Sequence, residues 1–187
     1  MSDVRPLQVN DGEVLGLVFD LPEVEWLAEV RRLRSAYDPP RAGFPVEITV
    51  AGSSGFGWFS PDQTPEVIAE HVRAIAQDVL PFTCTFSGVE VFPQSRVYYL
   101  ALANEEPFHS FQRALAASPL RFEAAQFSYK PHCTIVALSE GAPAATYAEL
   151  AAFPIPASGA TISSLSLYAV IPSTNACRHV SRLSLGA

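Results

Sequence analysis

The chain has 187 residues, 49% of them hydrophobic and 17% charged, which is typical of one globular domain and not of a disordered chain. Its 19 acidic and 12 basic residues give a net charge of −7, which argues against a DNA-coating surface, because such a surface needs a basic face. Because no apolar run approaches the roughly 20 residues of a membrane-spanning helix and no secretory signal opens the sequence, we expect a cytoplasmic protein without a membrane partner.

The first part of the chain predicts two strands with a helix between them. Residues 14–20 form an apolar, β-branched run that is typical of a buried strand, and residues 46–51 predict another. Between them, apolar residues recur every third position, which predicts a helix that opens at Pro22 and ends before Pro39.

A second helix has the clearest start signal in the sequence. Thr64 is a suitable N-cap, Pro65 fits the first helical position, and Glu66 suits the positive end of the helix dipole. The apolar stripe that follows comprises Ile68, Val72, Ile75 and Val79.

The rest of the chain predicts more strands than helices. In order, we expect strands at 82–92 and 96–103 joined by a turn, a helix from Pro107, a strand at 132–138, a helix at 146–153, and strands at 161–170 and 177–185. Several strand pairs have links of hairpin length, which favours antiparallel pairing. The fold class expected is therefore α+β rather than a doubly wound parallel sheet.

The three cysteines, Cys84, Cys133 and Cys177, lie far apart in the sequence. They form no Cys-x-x-Cys pair and no nearby cluster with histidine, so they offer no zinc site. We expect reduced thiols that pack as small apolar side chains, and neither a structural metal nor a cofactor.

Two distant segments resemble each other. They read Pro-Val-Glu-Ile-Thr-Val from residue 45 and Pro-His-Cys-Thr-Ile-Val from residue 131. In each, a polar residue and a threonine are separated by one residue, so both point to the same face of a strand. These pairs are Glu47 with Thr49 and His132 with Thr134. A buried strand has little reason to present two such groups unless they find partners.

The second segment, Pro131-His132-Cys133-Thr134-Ile135, matches a motif of the two-histidine (2H) phosphoesterase superfamily, which includes 2′-5′ RNA ligase-like proteins and cyclic phosphodiesterases. The chain resembles this family over residues 14–185. The resemblance implies one two-lobed domain spanning residues 1–187, with antiparallel sheets that line a central cleft and helices packed outside.

The resemblance also implies a chemistry. In-line displacement at a phosphate needs a base on one side of phosphorus and an acid on the other, and each motif supplies one such group. The threonines, Thr49 and Thr134, would donate hydrogen bonds to the phosphoryl oxygens. No metal is required, and the expected ligand is a nucleotide or RNA terminus that carries a phosphate.

The chain departs from the family at Glu47, which stands where the first motif has histidine. A carboxylate can act as general base with a protonated His132 as the acid, although its charge would repel a phosphodiester. In a dry cleft Glu47 can instead be a neutral hydrogen-bond donor. In a third interpretation Glu47 pairs with His132 or an arginine and the cleft is no longer a phosphodiesterase site.

Other residues near the motifs are candidates for substrate binding. Lys130 lies two residues before His132 and can offset phosphate charge, while Tyr129, Phe56 and Trp58 can stack on a base. Each also has an ordinary interpretation, as a solvated lysine or as aromatic packing.

Two functions therefore remain open. The first is hydrolysis of a 2′,3′-cyclic phosphate or a 2′-5′ phosphodiester of RNA or a nucleotide, with His132 and Glu47 as the catalytic pair. The second is a catalytically impaired homologue that binds nucleotides or RNA ends or regulates another protein. In either case we expect a monomer.

Overall fold

The computed structural model describes residues 9–53, 55–93, 95–125 and 127–186. Its nine strands are β1 (Val14–Asp20), β2 (Glu47–Ala51), β3 (Phe82–Cys84), β4 (Phe86–Val91), β5 (Val97–Leu102), β6 (His132–Ala137), β7 (Ala160–Ile162), β8 (Ser164–Ile171) and β9 (Ala176–Ser184). Its four α-helices are α1 (Trp26–Tyr37), α2 (Pro65–Gln77), α3 (Glu106–Ala116) and α4 (Ala144–Ala151), and a 3-10 turn spans Pro39–Arg41. None of the described helices is long and apolar enough to cross a bilayer.

Seven strands form one sheet in the order β4-β5-β6-β2-β1-β8-β9, and every neighbouring pair is antiparallel. The remaining strands, β3 and β7, form a small antiparallel sheet of their own. The prediction of an α+β fold with antiparallel sheets is therefore confirmed.

The large sheet has one apolar face and one polar face, because side chains alternate along each strand. The apolar face is buried, and its central residues include Leu17, Phe19, Ile48, Cys133, Leu165 and Leu167. Helix α1 packs against β6 and helix α2 against β9. Burial of this face is the main contribution to stability, and it leaves the polar residues of the same strands on the opposite face.

The strand predicted at 82–92 is wrong in its extent. It breaks at Thr85, so that β3 pairs with β7 while β4 pairs with β5. The strand predicted at 161–170 breaks at Ser163 in the same way, between β7 and β8. Hydrophobic patterning cannot show such a break, because the segments on both sides of it are apolar enough to be strands. The first helix also begins at Trp26, four residues later than Pro22.

The start predicted for α2 is confirmed. The Thr64 side chain accepts a hydrogen bond from the Val67 backbone N–H at 3.4 Å, and Pro65 occupies the first helical position. On the inward face, Ile68 and Val72 are fully buried.

The two motif strands, β2 and β6, are neighbours at the centre of the sheet. Their register gives one paired position, Ile48 opposite Cys133, so this seam is short. A carboxylate from the end of α1 supports it, because Asp38 Oδ2 accepts a hydrogen bond from the Ala137 backbone N–H at 2.9 Å.

A buried arginine of α1 joins the two sides of the seam. The guanidinium of Arg34, which is 3% exposed, donates to the carbonyl oxygens of Thr134 at 2.6 Å and Ile135 at 3.1 Å on β6. It also donates to the carbonyl oxygens of Phe44 at 3.2 Å and Pro45 at 2.8 Å, which lead into β2. One side chain thus satisfies backbone acceptors on both motif segments.

Replacement of Arg34 by methionine should lower the free energy of unfolding by about 2–4 kcal/mol, because it leaves buried carbonyl groups without a donor. Urea unfolding of the two proteins measures this difference. The matched control is Arg31→Met on the same helix, since Arg31 is exposed and pairs with Glu23 at the surface. Equal losses in the two variants would contradict a structural role for the Arg34 contacts.

Candidate functional site

The four polar residues of the two motifs form a rectangle on the polar face of the sheet. The antiparallel register at the seam places Glu47 opposite Thr134, and Thr49 opposite His132. Glu47 and His132 therefore lie on one diagonal and the two threonines on the other. Diagonal neighbours across an antiparallel pair are about 7–8 Å apart, which leaves room for a phosphate between the acid and the imidazole.

The His132 ring is held in one orientation. Its Nδ1 lies 2.6 Å from the Lys130 carbonyl oxygen, and because a carbonyl only accepts, Nδ1 donates. Phe92 and Tyr99 contact the ring edge to face, at centroid distances of 4.9 and 5.0 Å. Burial lowers the pKa of His132, so the neutral form is favoured and Nε2 carries a free lone pair.

Glu47 is partly buried on the polar face, where the Thr49 hydroxyl donates to its two carboxylate oxygens at 3.0 and 3.2 Å. Burial raises the pKa of Glu47 to about 7, and the charge of Asp20 acts in the same direction. The Thr49 hydrogen bond and the Arg34 charge lower this pKa but do not offset the loss of hydration. A substantial fraction of Glu47 is therefore protonated at neutral pH.

The wall beside His132 contains residues that the sequence analysis did not single out as site residues. Tyr99 lies on β5 opposite Thr134, and its hydroxyl donates to Glu90 on β4 at 2.6 Å. Phe92 stacks on Tyr99 at a centroid distance of 4.3 Å. The alternation of side chains along β5 shows which of its residues share a face. Whether Tyr99 lies on the same face as His132 depends on how β5 pairs with β6.

Lys130 and Tyr129 both lie near the motif. The Lys130 ammonium forms an ion pair with Glu105, which also contacts His109 Nε2 at 3.2 Å, so the lysine charge is largely offset. The Tyr129 hydroxyl is buried and makes no hydrogen bond within the described part of the chain. Burial raises the pKa of this phenol, and the carboxylates of Glu47 and Glu105 raise it further.

The two aromatic residues of the loop after β2 lie in different surroundings. Phe56 stacks on Phe122 at 4.6 Å, and Phe122 also contacts Phe59, so Phe56 takes part in an aromatic cluster. Trp58 instead packs against the sheet, where a Cβ added at Gly16 would lie 3.0 Å from its ring.

Trp58 also lies close to the first motif. A Cβ added at Gly52 would lie 3.4 Å from the indole and 3.3 Å from the Thr49 methyl group. The indole is partly exposed, and its close approach to the sheet depends on the absence of a side chain at Gly16. Of the two loop aromatics, Trp58 is therefore the one placed beside the motif residues.

A hydrogen-bonded cluster of residues from β1, β8 and β9 lies next to Glu47, since Asp20 is paired with Glu47 across the strands. Asp20 Oδ2 accepts from the hydroxyls of Ser164 at 2.6 Å and Ser166 at 3.0 Å. Arg182 Nε lies 3.1 Å from the same oxygen. Ser166 Oγ also lies 3.3 Å from His179 Nε2. No sequence motif marks these residues, because they become neighbours only through strand pairing.

The polar face of the sheet thus presents an imidazole with a free lone pair diagonally across from a carboxyl group that holds a proton near neutral pH. Two threonine hydroxyls lie at the remaining corners. This arrangement can accept a proton on one side of a bound group and donate one on the other.

Comparisons with known proteins agree with the fold. A family model described as the 2′-5′ RNA ligase superfamily matches residues 22–170. A search of curated proteins finds no match.

Solved structures with this fold include E. coli LigT complexed with 3′-AMP, at 21% identity and a TM-score of 0.58, over 94% of this chain and 99% of that one. The NADP+ complex of E. coli LigT has 23% identity and a TM-score of 0.52, over 94% and 99%. The protein TT0787 of Thermus thermophilus has 18% identity and a TM-score of 0.56, over 93% and 98%. At these identities the structural likeness establishes the fold alone. The family match spans most of the sequence and includes both motif strands, and the chain therefore belongs to the 2′-5′ RNA ligase superfamily.

Proposed function

We propose that this protein is a phosphoesterase that hydrolyses a 2′,3′-cyclic phosphate or a 2′-5′ phosphodiester of a nucleotide or RNA end. The observation that carries the proposal is the rectangle of motif residues, in which Glu47 and His132 lie on one diagonal. Glu47 takes the position of the first motif histidine, and acid–base catalysis by the pair asks for no metal.

The protonation states favour His132 as the base and Glu47 as the acid. Burial favours neutral forms, so it removes the proton from an imidazole and keeps the proton on a carboxyl group. This is the reverse of the first alternative considered from the sequence, in which a Glu47 carboxylate was the base. It also removes the repulsion between an ionised Glu47 and the phosphodiester.

In the proposed step a water molecule attacks phosphorus while its proton passes to His132 Nε2. The bond from phosphorus to one ring oxygen breaks, and that oxygen takes the proton of Glu47. Exchange with solvent then returns His132 to its neutral form and Glu47 to its protonated form. Thr134 and Thr49 donate to the non-bridging oxygens, which requires Thr49 to release its hydrogen bond to Glu47.

Tyr129 and Trp58 suit the remainder of the ligand. The Tyr129 hydroxyl has no hydrogen-bond partner among the described residues and can donate to a phosphoryl oxygen. The partly exposed Trp58 indole beside Thr49 offers a surface for a base. E. coli LigT structures complexed with 3′-AMP, ATP and NADP+ support a ligand of the nucleotide class.

Replacement of His132 by alanine should lower kcat for 2′,3′-cyclic AMP by about 10²–10⁴-fold, because the attacking water loses its base. Turnover by the purified protein with a chelator present measures this. The matched control is His71→Ala, since His71 lies on α2, away from both motif strands. Activity that survives in His132→Ala would exclude the proposed mechanism.

The pH profile of kcat/KM should have two limbs. The rate should fall as pH rises through about 7, because Glu47 loses its proton, and should fall on acidification below 6.5, because His132 gains one. Glu47→Gln should lower the rate by about 10²-fold or more and remove the alkaline limb. An alkaline limb that persists in Glu47→Gln would assign it to another group.

Glu47→His distinguishes the two functions that the sequence left open. If the wild type is an enzyme, it turns over 2′,3′-cyclic AMP without this change. If turnover is absent in the wild type and present in Glu47→His, the protein is a binding homologue whose chemistry is blocked by one side chain.

The raised pKa of Glu47 also predicts a dependence of stability on pH. The folded state retains a proton that the unfolded chain releases above 4.5, so Glu47 lowers stability as pH rises from 4.5 to about 7. Between about pH 4 and pH 8, Glu47→Gln should gain about 1–3 kcal/mol of unfolding free energy relative to the wild type. Urea unfolding at several pH values tests this.

The control is Glu29→Gln, because Arg32 lowers the pKa of Glu29. That variant should lose stability relative to the wild type over the same rise in pH, which is the opposite sign. A difference between Glu47→Gln and the wild type that does not change with pH would show that folding leaves the pKa of Glu47 unshifted.

A further inference from the structure

Strand β9 contains a bulge in its pairing with β8. Its register with β8 passes from Leu167 opposite Ser181 directly to Tyr168 opposite His179. Val180 has no opposite residue and packs against the hydrophobic core. The bulge therefore reverses the alternation of β9 at this point.

This reversal brings two basic side chains to the same face. His179 and Arg182 are three residues apart, and in a regular strand they would point to opposite faces. With Val180 unpaired, both lie on the polar face, with Ser166 between them and Asp20. Bulges are frequent beside active sites, where they re-aim a side chain.

A hydrogen bond orients His179, and an ion pair with Asp20 orients Arg182. The single Ser166 hydroxyl proton is donated to the Asp20 carboxylate, so the hydroxyl oxygen accepts from His179 Nε2. Arg182 contacts Asp20 through Nε. Within the described residues, no hydrogen bond engages the terminal amino groups of Arg182, and the side chain is 63% exposed. The cluster therefore holds a guanidinium at one point and leaves its fork available.

Arg182 lies in the same row across the sheet as the motif residues Thr49 and His132. Arg182 lies opposite Ser166, Ser166 opposite Val18, and Val18 opposite Thr49, so one row crosses the sheet to His132. The arginine side chain reaches back across β8 to β1, which neighbours β2 at a strand spacing of about 4.8 Å. A single nucleotide can span from the centre of the rectangle to this guanidinium.

Basic side chains are an exception among the charged residues of this face. The protein carries a net charge of −7, and the polar face already presents Glu47, Asp20 and Glu90. The fork of a guanidinium matches the oxygens of a phosphate, and a fixed guanidinium loses less entropy on binding.

We propose that Arg182 forms a second anion subsite beside Ser166 and His179. This subsite binds a phosphate one nucleotide unit away from the phosphate held between Glu47 and His132. The proposal rests on the proposed function for the location of that first phosphate. Its ligand class is a nucleotide with two phosphates, either a nucleoside 3′,5′-bisphosphate or the end of an oligonucleotide.

Calorimetric binding of two ligands to the full chain tests the subsite. The wild type should bind adenosine 3′,5′-bisphosphate about tenfold or more tightly than 3′-AMP, from the charge-assisted contacts to the second phosphate. Arg182→Gln should reduce this preference to about twofold or less while the affinity for 3′-AMP changes little. Melting temperatures verify that each variant is folded.

Arg113→Gln is the matched control. It removes the same charge from an arginine that is exposed and paired with Glu106 on α3. A preference for the bisphosphate that is lost equally in both arginine variants would overturn the subsite, because it would reflect overall charge. The absence of any preference in the wild type would also overturn it. A preference retained in Arg182→Gln would do the same.

Two further comparisons are needed. The first distinguishes a 5′-monophosphate from a phosphodiester as the ligand of the subsite, and the second distinguishes failure of the subsite from failure of the catalytic proposal. A dinucleotide with a 3′-phosphate presents a phosphodiester instead of a 5′-monoester, so its affinity shows which of them the subsite takes. A preference that depends on Arg182 in a protein without turnover establishes the subsite and rejects the catalytic proposal. Turnover that depends on His132, together with a bisphosphate preference that Arg182→Gln does not change, supports the catalytic proposal and rejects the subsite.

Discussion

The site depends on the contact between Arg34 and the backbone of both motif segments. β2 and β6 meet at one paired position, so the sheet ladder alone does little to fix their relative position. The guanidinium of Arg34 donates to carbonyl oxygens on both sides of this seam from the apolar face, and Asp38 adds a bond to β6. Because these contacts come from α1 beneath the sheet, they position the motif side chains without occupying the polar face above. The geometry of the rectangle is in this sense set from the opposite face.

The same environment acts on the two titratable groups of the rectangle in a complementary way. Loss of hydration disfavours charge, so it raises the pKa of Glu47 and lowers that of His132. A pair of histidines needs opposite protonation states in one cleft, whereas a glutamic acid and a neutral histidine reach complementary states from burial alone. The aromatic contacts of Phe92 and Tyr99 support this by shielding the imidazole from water. A glutamate at this position is therefore compatible with acid–base chemistry.

Much of the fold could be predicted from the sequence, because most elements bury one regular stripe. Strand β1 and the capped start of α2 have the boundaries that their residues indicate. The predictions failed at Thr85 and Ser163, where a strand passes from one sheet to another. No local pattern marks such a change of partner, since both segments are strands in any case.

For the site, the sequence by itself determined that Glu47 and Thr49 share one face of a strand and that His132 and Thr134 share another, because side chains alternate with a fixed period of two. It also determined the apolar patterns that place these strands in a buried sheet. Only the tertiary structure decided that the two pairs lie diagonally across one seam, that burial sets their protonation, and that Arg34, Tyr99 and Asp20 surround them. The bulge at Val180 belongs to the same class, since it exists only relative to β8. The physical reason is that register and desolvation are properties of contacts between distant segments, and no segment carries them alone.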